Sequence, residues 1–107
     1  MGYDPATAER VRRHLADRDD VVEKRMVGGL SFMVHGRMCC GVTSSGLMVR
    51  LGTDGAARAV DEPYVRPLVL GGKPVAAFVV VDPDGFADDA ALATWLDRAL
   101  AFLAQER

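Results

Sequence analysis

The sequence predicts an α+β fold, an antiparallel sheet of five to six strands flanked by an N-terminal helix, a short middle helix and a C-terminal helix. Three observations carry this. An apolar stripe at helical spacing opens the chain. Strand-length segments punctuated by glycine turns fill residues 21–51, and a longer helical stripe closes it. A chain of 107 residues suits one hydrophobic core rather than two, so a single domain is expected over residues 1–107.

Each element has a local signal. Asp4 can cap the first helix, Pro5 suits its first position, and Glu9 favours the positive end of its dipole. Ala8, Val11 and Leu15 share one stripe, with Glu9, Arg10, Arg13 and Asp17 opposite. From Val21 the period changes to that of strands. VVEKRMV leads to Gly28-Gly29, LSFMV to His35-Gly36, and RMCCGVT to a turn at Ser44-Ser45-Gly46. Two strands separated by two residues, the second a glycine, make a hairpin signal. LMVRL returns as a fourth strand of an antiparallel meander. GTDGAARAV is a short helix with Asp54 as its expected cap, and Glu62-Pro63 and Arg66-Pro67 stiffen the loop that follows. Leu68 to Leu70 is expected as a short edge strand. AAFVVV is β-branched and apolar, as in a strand covered on both faces, and Asp82-Pro83-Asp84-Gly85 ends it with a turn. Asp88 or Asp89 starts the last helix, which places Leu92, Trp95, Leu96, Ala99 and Leu103 on one face.

Composition removes several classes of function. The net charge is −2 and the isoelectric point about 5.6. Nucleic-acid-binding domains draw affinity from counterion release through a basic excess, so DNA or RNA is not the expected partner. MGYDPATAERVRR has no apolar core and does not read as a secretory signal. The longest apolar run, Val75 to Val81, falls far short of the roughly 20 residues needed to span a bilayer, so no membrane is expected. Gly2 precedes Ala6 where a myristoylation pattern needs Ser or Thr. Alternation along a strand should send the adjacent Cys39 and Cys40 to opposite faces, against a disulfide or a shared metal. A cytoplasmic location is expected.

MVGGLSFMVHGRMCCGV at 26–42 resembles the signature hairpin of the TfoX N-terminal domain family. The resemblance continues through LMVRLG at 47–52, EPYVRPLVLGGKPVAAFVVVDPDG at 62–85 and LATWLDRALAF at 92–102, in order and spacing over almost the whole chain. It implies a compact fold similar to the secretion-chaperone-like class, often paired as a homodimer. It also implies kinship with competence regulators, which join this domain to a C-terminal helical domain and act as transcriptional co-activators.

No catalytic residue, metal ligand or cofactor is predicted. Gly28, Gly29, Gly36 and Gly85 are expected as structural turn positions, since a phosphate cradle needs a helix after Gly28-Gly29 and a strand follows. Asp82-x-Asp84-Gly85 lacks the ligands of a calcium loop. His14 and His35 have no partner at metal-ligand spacing, and Ser31, Ser44 and Ser45 lack a nucleophile-elbow context. The cysteines are expected as small apolar packing residues. Arginine's planar fork suits carboxylates and phosphates, which makes Arg25, Arg50 and Arg66 the candidate partner- or ligand-binding residues. Internal ion pairs to Asp54, Asp61 or Glu62 would be the structural alternative. Arg10, Arg12, Arg13 and Arg18 make the first helix basic, with Glu9 placed to pair with Arg13.

The leading expectation is a non-enzymatic regulatory or interaction module that binds itself and an unidentified protein. A small anionic-ligand binder or enzyme using arginines near 47–52 and 62–68 is the alternative. DNA binding through the first helix is a third.

Overall fold

The computed structural model describes residues 2–26 and 28–106. The order is α1 (Pro5–His14), β1 (Val21–Met26), β2 (Gly29–Val34), β3 (Arg37–Val42), β4 (Leu47–Arg50), α2 (Gly52–Ala59), β5 (Val65–Leu70), β6 (Lys73–Val81), a short 3-10 turn at Pro83–Phe86 and α3 (Asp89–Gln105). One antiparallel sheet runs β1-β2-β3-β4-β6-β5. The fold class is therefore α+β, with six strands and three helices in the expected places. Val27, expected as the last residue of the first strand, lies outside the described residues.

α1 begins at Pro5 behind Asp4, whose carboxylate accepts from the Thr7 hydroxyl at 2.7 Å rather than from a backbone amide. That bond holds the Asp4 carboxyl below its ordinary pKa. Ala8, Val11 and Leu15 are all buried, as the stripe requires. α3 is capped by Asp88, which accepts from the Ala91 amide at 2.7 Å, and buries Leu92, Trp95, Leu96, Ala99 and Leu103. Each large apolar side chain so buried contributes on the order of 1.5–3 kcal/mol. The helices meet the sheet on one face, where Phe32, Leu47, Val49, Val79 and Val81 are fully buried with them.

The β2–β3 hairpin turns at His35 (φ 55°) and Gly36 (φ 82°), both left-handed, as the two-residue turn of an antiparallel hairpin demands. Gly28 also has positive φ, at 71°. Gly85 serves by size instead. A Cβ there would meet Val81 Cγ1 at 2.5 Å and Tyr64 Cβ at 3.0 Å, and its carbonyl accepts from the Trp95 indole at 3.1 Å.

Four local expectations are corrected. α2 starts at Gly52 with Leu51 at the N-cap, so Asp54 sits in the first turn and is no cap. β5 begins at Val65, so Arg66 and Pro67 lie on a strand rather than in a loop. β5 is an edge, where a proline's missing N–H costs no ladder bond. Glu9 pairs with Arg12 at 3.1 Å and not with Arg13, because Arg12 is drawn across to Glu23 on β1 at 2.6 Å. Finally, Cys39 and Cys40 do not part. The β2–β3 register shifts between Phe32 and Met33, leaving Cys39 without a partner in a bulge, and both thiols join the helix-covered core.

Candidate functional site

Strand alternation divides the sheet into two faces. Phe32 and Val34 face the helices, so Ser31 and Met33 between them face away. The hydrogen-bonded rows carry this outward face across the sheet. One row runs Lys24, Ser31, Gly41, Met48, Val80 and Arg66; beside it lie Val22, Met33 and Met38, and then Arg50 opposite Phe78. Met48, Leu68 and Val80 form a second apolar cluster, with Met38, Val75 and Phe78 packed on it. Every member of that cluster lies on a strand, and Met48, Leu68 and Val80 are buried within it, while half-buried Met38 and Phe78 lie at its surface and α2 flanks it beside Leu68 and Val75.

The face has an unusual composition. Met26, Met33, Met38 and Met48 all point outward, and the helix-covered core contains no methionine. Only glycine fits between the last two. A Cβ on Gly41 would meet the methyl ends of Met48 and Met38 at 2.6 and 2.8 Å. Beside it the Ser31 hydroxyl, 1% exposed, has no hydrogen-bond partner among the described residues.

The three candidate arginines are not gathered into one place. Arg25 stands opposite core-facing Leu30, on the helix side, with its guanidinium 5.5 Å from the Tyr3 ring. Arg50 and Arg66 share the outer face, but β6 runs between them. Arg66 Nε donates to Asp82 at 3.0 Å, so it is already paired, though not with the acids proposed from sequence. Arg50 lies against Phe78, 5.5 Å from its ring centre, and donates from Nη1 to the Met38 carbonyl at 3.4 Å. Its Nε is buried without a partner among the described residues.

Elsewhere the charges close on themselves. Arg10 reaches Asp89 and the Phe86 carbonyl, Arg18 reaches Asp20, and Arg12 holds Glu9 and Glu23. His14 meets Asp97 on α3 at 2.8 Å. The basic side of α1 is thus largely a set of bridges to β1 and α3 rather than a free cationic surface. Arg12 holds the Glu23 carboxyl below its ordinary pKa, and Arg18 does the same for Asp20. In the bulge, the adjacent Cys40 thiol and then the charge of Arg18 lower Cys39, while Cys39 and burial push Cys40 well above a normal thiol.

A cleft of about 690 Å³ lies between α2 and the end of α3, beside Gly52, Arg58, Arg98 and Phe102. Arg98 there is held by Glu62 through two bonds at 3.0 and 2.9 Å and stacks on Trp95 at 4.4 Å. Among the described residues no three His, Cys, Asp or Glu side chains gather as for a metal. No helix among them is long and apolar enough to cross a membrane.

The sequence missed the methionine face, although its signal was present. Met33 sits between two core residues of one strand, and Met26 and Met48 each occupy the outward phase of theirs. It also missed Arg98–Glu62, for which nothing local gives a sign.

The fold and this surface define a class: a small α+β domain whose sheet carries a helix-covered core on one side and a smaller cluster of strand side chains on the other. A family model, the TfoX N-terminal domain, matches residues 13–103, and the chain belongs to that family. No curated protein and no solved structure matches it.

Proposed function

We propose that this domain is a non-enzymatic regulatory module that works by binding proteins, itself included, within the transcription or competence control associated with its family. The observation that carries this is the outer face, where exposed Val22 and Met26 and half-buried Met33, Met38 and Phe78 present apolar surface to solvent. A cytosolic location accords with two free thiols. For self-association the free edge of β1 is the better-suited element. It offers six residues without proline, whereas the opposite edge, β5, is interrupted by Pro67 and by a register shift.

The anionic-ligand alternative has weaker support. It needs Arg50 and Arg66 to converge free of carboxylates, and although Arg50 has no carboxylate partner among the described residues, β6 runs between the two and Arg66 is held by Asp82.

Affinity capture of the tagged domain from nuclease-treated native lysate, with sedimentation velocity of the purified chain, tests the proposal. The expected result is a nuclease-resistant protein partner and a dimer that dissociates on dilution. Turnover of a small substrate that disappears in Arg50→Gln would overturn it.

A further inference from the structure

The outer face is apolar and cationic together, although the chain as a whole is acidic. Of its 15 acidic side chains, one alone lies on a strand. That one is Glu23, and it turns to Arg12 on the helix side. The outward strand positions carry Lys24, Arg50 and Arg66 instead. Asp82, just beyond β6, answers Arg66. Lys24 and Arg50 have no carboxylate partner among the described residues.

Arg50 is prepared for an acceptor. Phe78 and the Met38 carbonyl fix its position through one amino group, Nη1; Nε is buried, and Nη2 is left without a hydrogen bond among the described residues. Nη2 is a charged donor to which a carboxylate can bind.

The apolar part is suited to a partner rather than to fixed packing. Met33 and Met38, both half-buried over buried Met48, are flexible and polarisable, the composition of surfaces that remodel around a bound peptide. The patch continues into a groove of about 270 Å³ between α2 and the β5–β6 hairpin, lined by Ala57, Val60, Pro67, Leu68, Val75 and Phe78. Such a groove takes an aliphatic or aromatic anchor.

Resting on the protein-interaction reading above, we propose that this face docks an acidic, apolar-anchored segment of another protein, its side chains seated on the methionines and a carboxylate on Arg50. A nucleic acid is disfavoured, because three cations, one of them paired, release few counterions. A second copy is disfavoured, because its own Lys24 and Arg50 would be brought against the same charges.

Methionine-methyl NMR of the whole domain tests this with three probes: a synthetic peptide alternating Glu and Leu, the same peptide with Gln for Glu, and a single-stranded oligonucleotide. The Glu–Leu peptide is expected to move the Met33, Met38 and Met48 methyls and leave the Trp95 indole in place. The Gln peptide should bind about tenfold more weakly, as should the Glu–Leu peptide to Arg50→Gln, through loss of the charge-assisted bond. Arg58→Gln, away on α2, should bind normally, and an unchanged indole signal shows that each variant is folded. Static methyls with the Glu–Leu peptide, equal affinity in Arg50→Gln, or tighter binding of the oligonucleotide would each overturn the proposal. Methyl shifts that follow protein concentration alone would also overturn it, by giving the face to a second copy. If a partner captured from lysate is retained by Arg50→Gln and by Met38→Ser, this docking face falls while the interaction reading stands. If no partner is captured and no dimer forms, that reading falls as well.

Discussion

On the helix side of the sheet Phe32, Leu47, Val49 and Val79 are wholly buried, while on the outer side their chain neighbours Met33, Arg50 and Phe78 are only half-buried, around a smaller cluster of Met48, Leu68 and Val80. The two faces share the same strands and the same backbone hydrogen bonds, so those cannot account for the difference. Side-chain chemistry does. The inner face uses branched and aromatic groups whose shapes interlock with α1 and α3, and it takes in two thiols through a bulge. The outer face mixes a few branched and aromatic groups with unbranched thioethers, a serine and arginines, which hold less shape and keep unmade hydrogen bonds. One face is built to specify a structure, and the other is built to adapt.

The largest expected effect comes from breaking the inner face. Phe32→Ala should lower stability by about 3–5 kcal/mol, since α3 holds the cavity open. Urea unfolding measures it, and a loss no larger than that of an outer-face truncation would erase the contrast between faces. Cys40→Ser should cost about 1–3 kcal/mol, because the hydroxyl enters a core without an assigned acceptor. A neutral result would show that the bulge admits a partner for it.

Gly36→Ala should cost on the order of 1–2 kcal/mol, the penalty of a Cβ at left-handed φ, and thermal unfolding reads it directly. Met38→Ala on the outer face should cost about 1 kcal/mol or less, because the side chain is only half-buried and its site can relax. A cost matching Phe32→Ala would mean that the outer face is a core in its own right.

The smallest effect belongs to the Arg12–Glu23 bridge between α1 and β1. Glu23 is held below its ordinary pKa near 4.5. Its stabilisation is therefore complete above that value and is lost as pH falls through the lowered one. Glu23→Gln should cost under about 1 kcal/mol at pH 7, as exposed pairs do. Wild type should lose more stability than the variant on acidification below pH 4.5. Parallel pH profiles for the two proteins would remove the bridge from the account.

Much of the fold was legible because its signals are local. Pro5, the His35-Gly36 turn, Asp88 and the 3.6-residue stripe of α3 each act within a few residues of chain. β5 was read too short for the opposite reason. Pro67 discourages a strand everywhere except at a sheet edge, and only the completed order β1-β2-β3-β4-β6-β5 makes that segment an edge. Arg25, Arg50 and Arg66 drew attention correctly as guanidiniums that need partners. Their separation onto two faces depended on register, which no single strand contains.

The sequence by itself determined the three helices, the antiparallel strands and the family, because periodicity, capping and turn chemistry are properties of neighbouring residues. Tertiary structure alone decided that Cys39 and Cys40 share a core, that Arg66 meets Asp82 and Arg98 meets Glu62, and that the methionines lie opposite the helix-covered core. The physical reason is that these facts depend on which strand lies beside which, and on a one-residue bulge that reverses the direction of a side chain. Both follow from the balance of the assembled sheet rather than from any local stretch of chain.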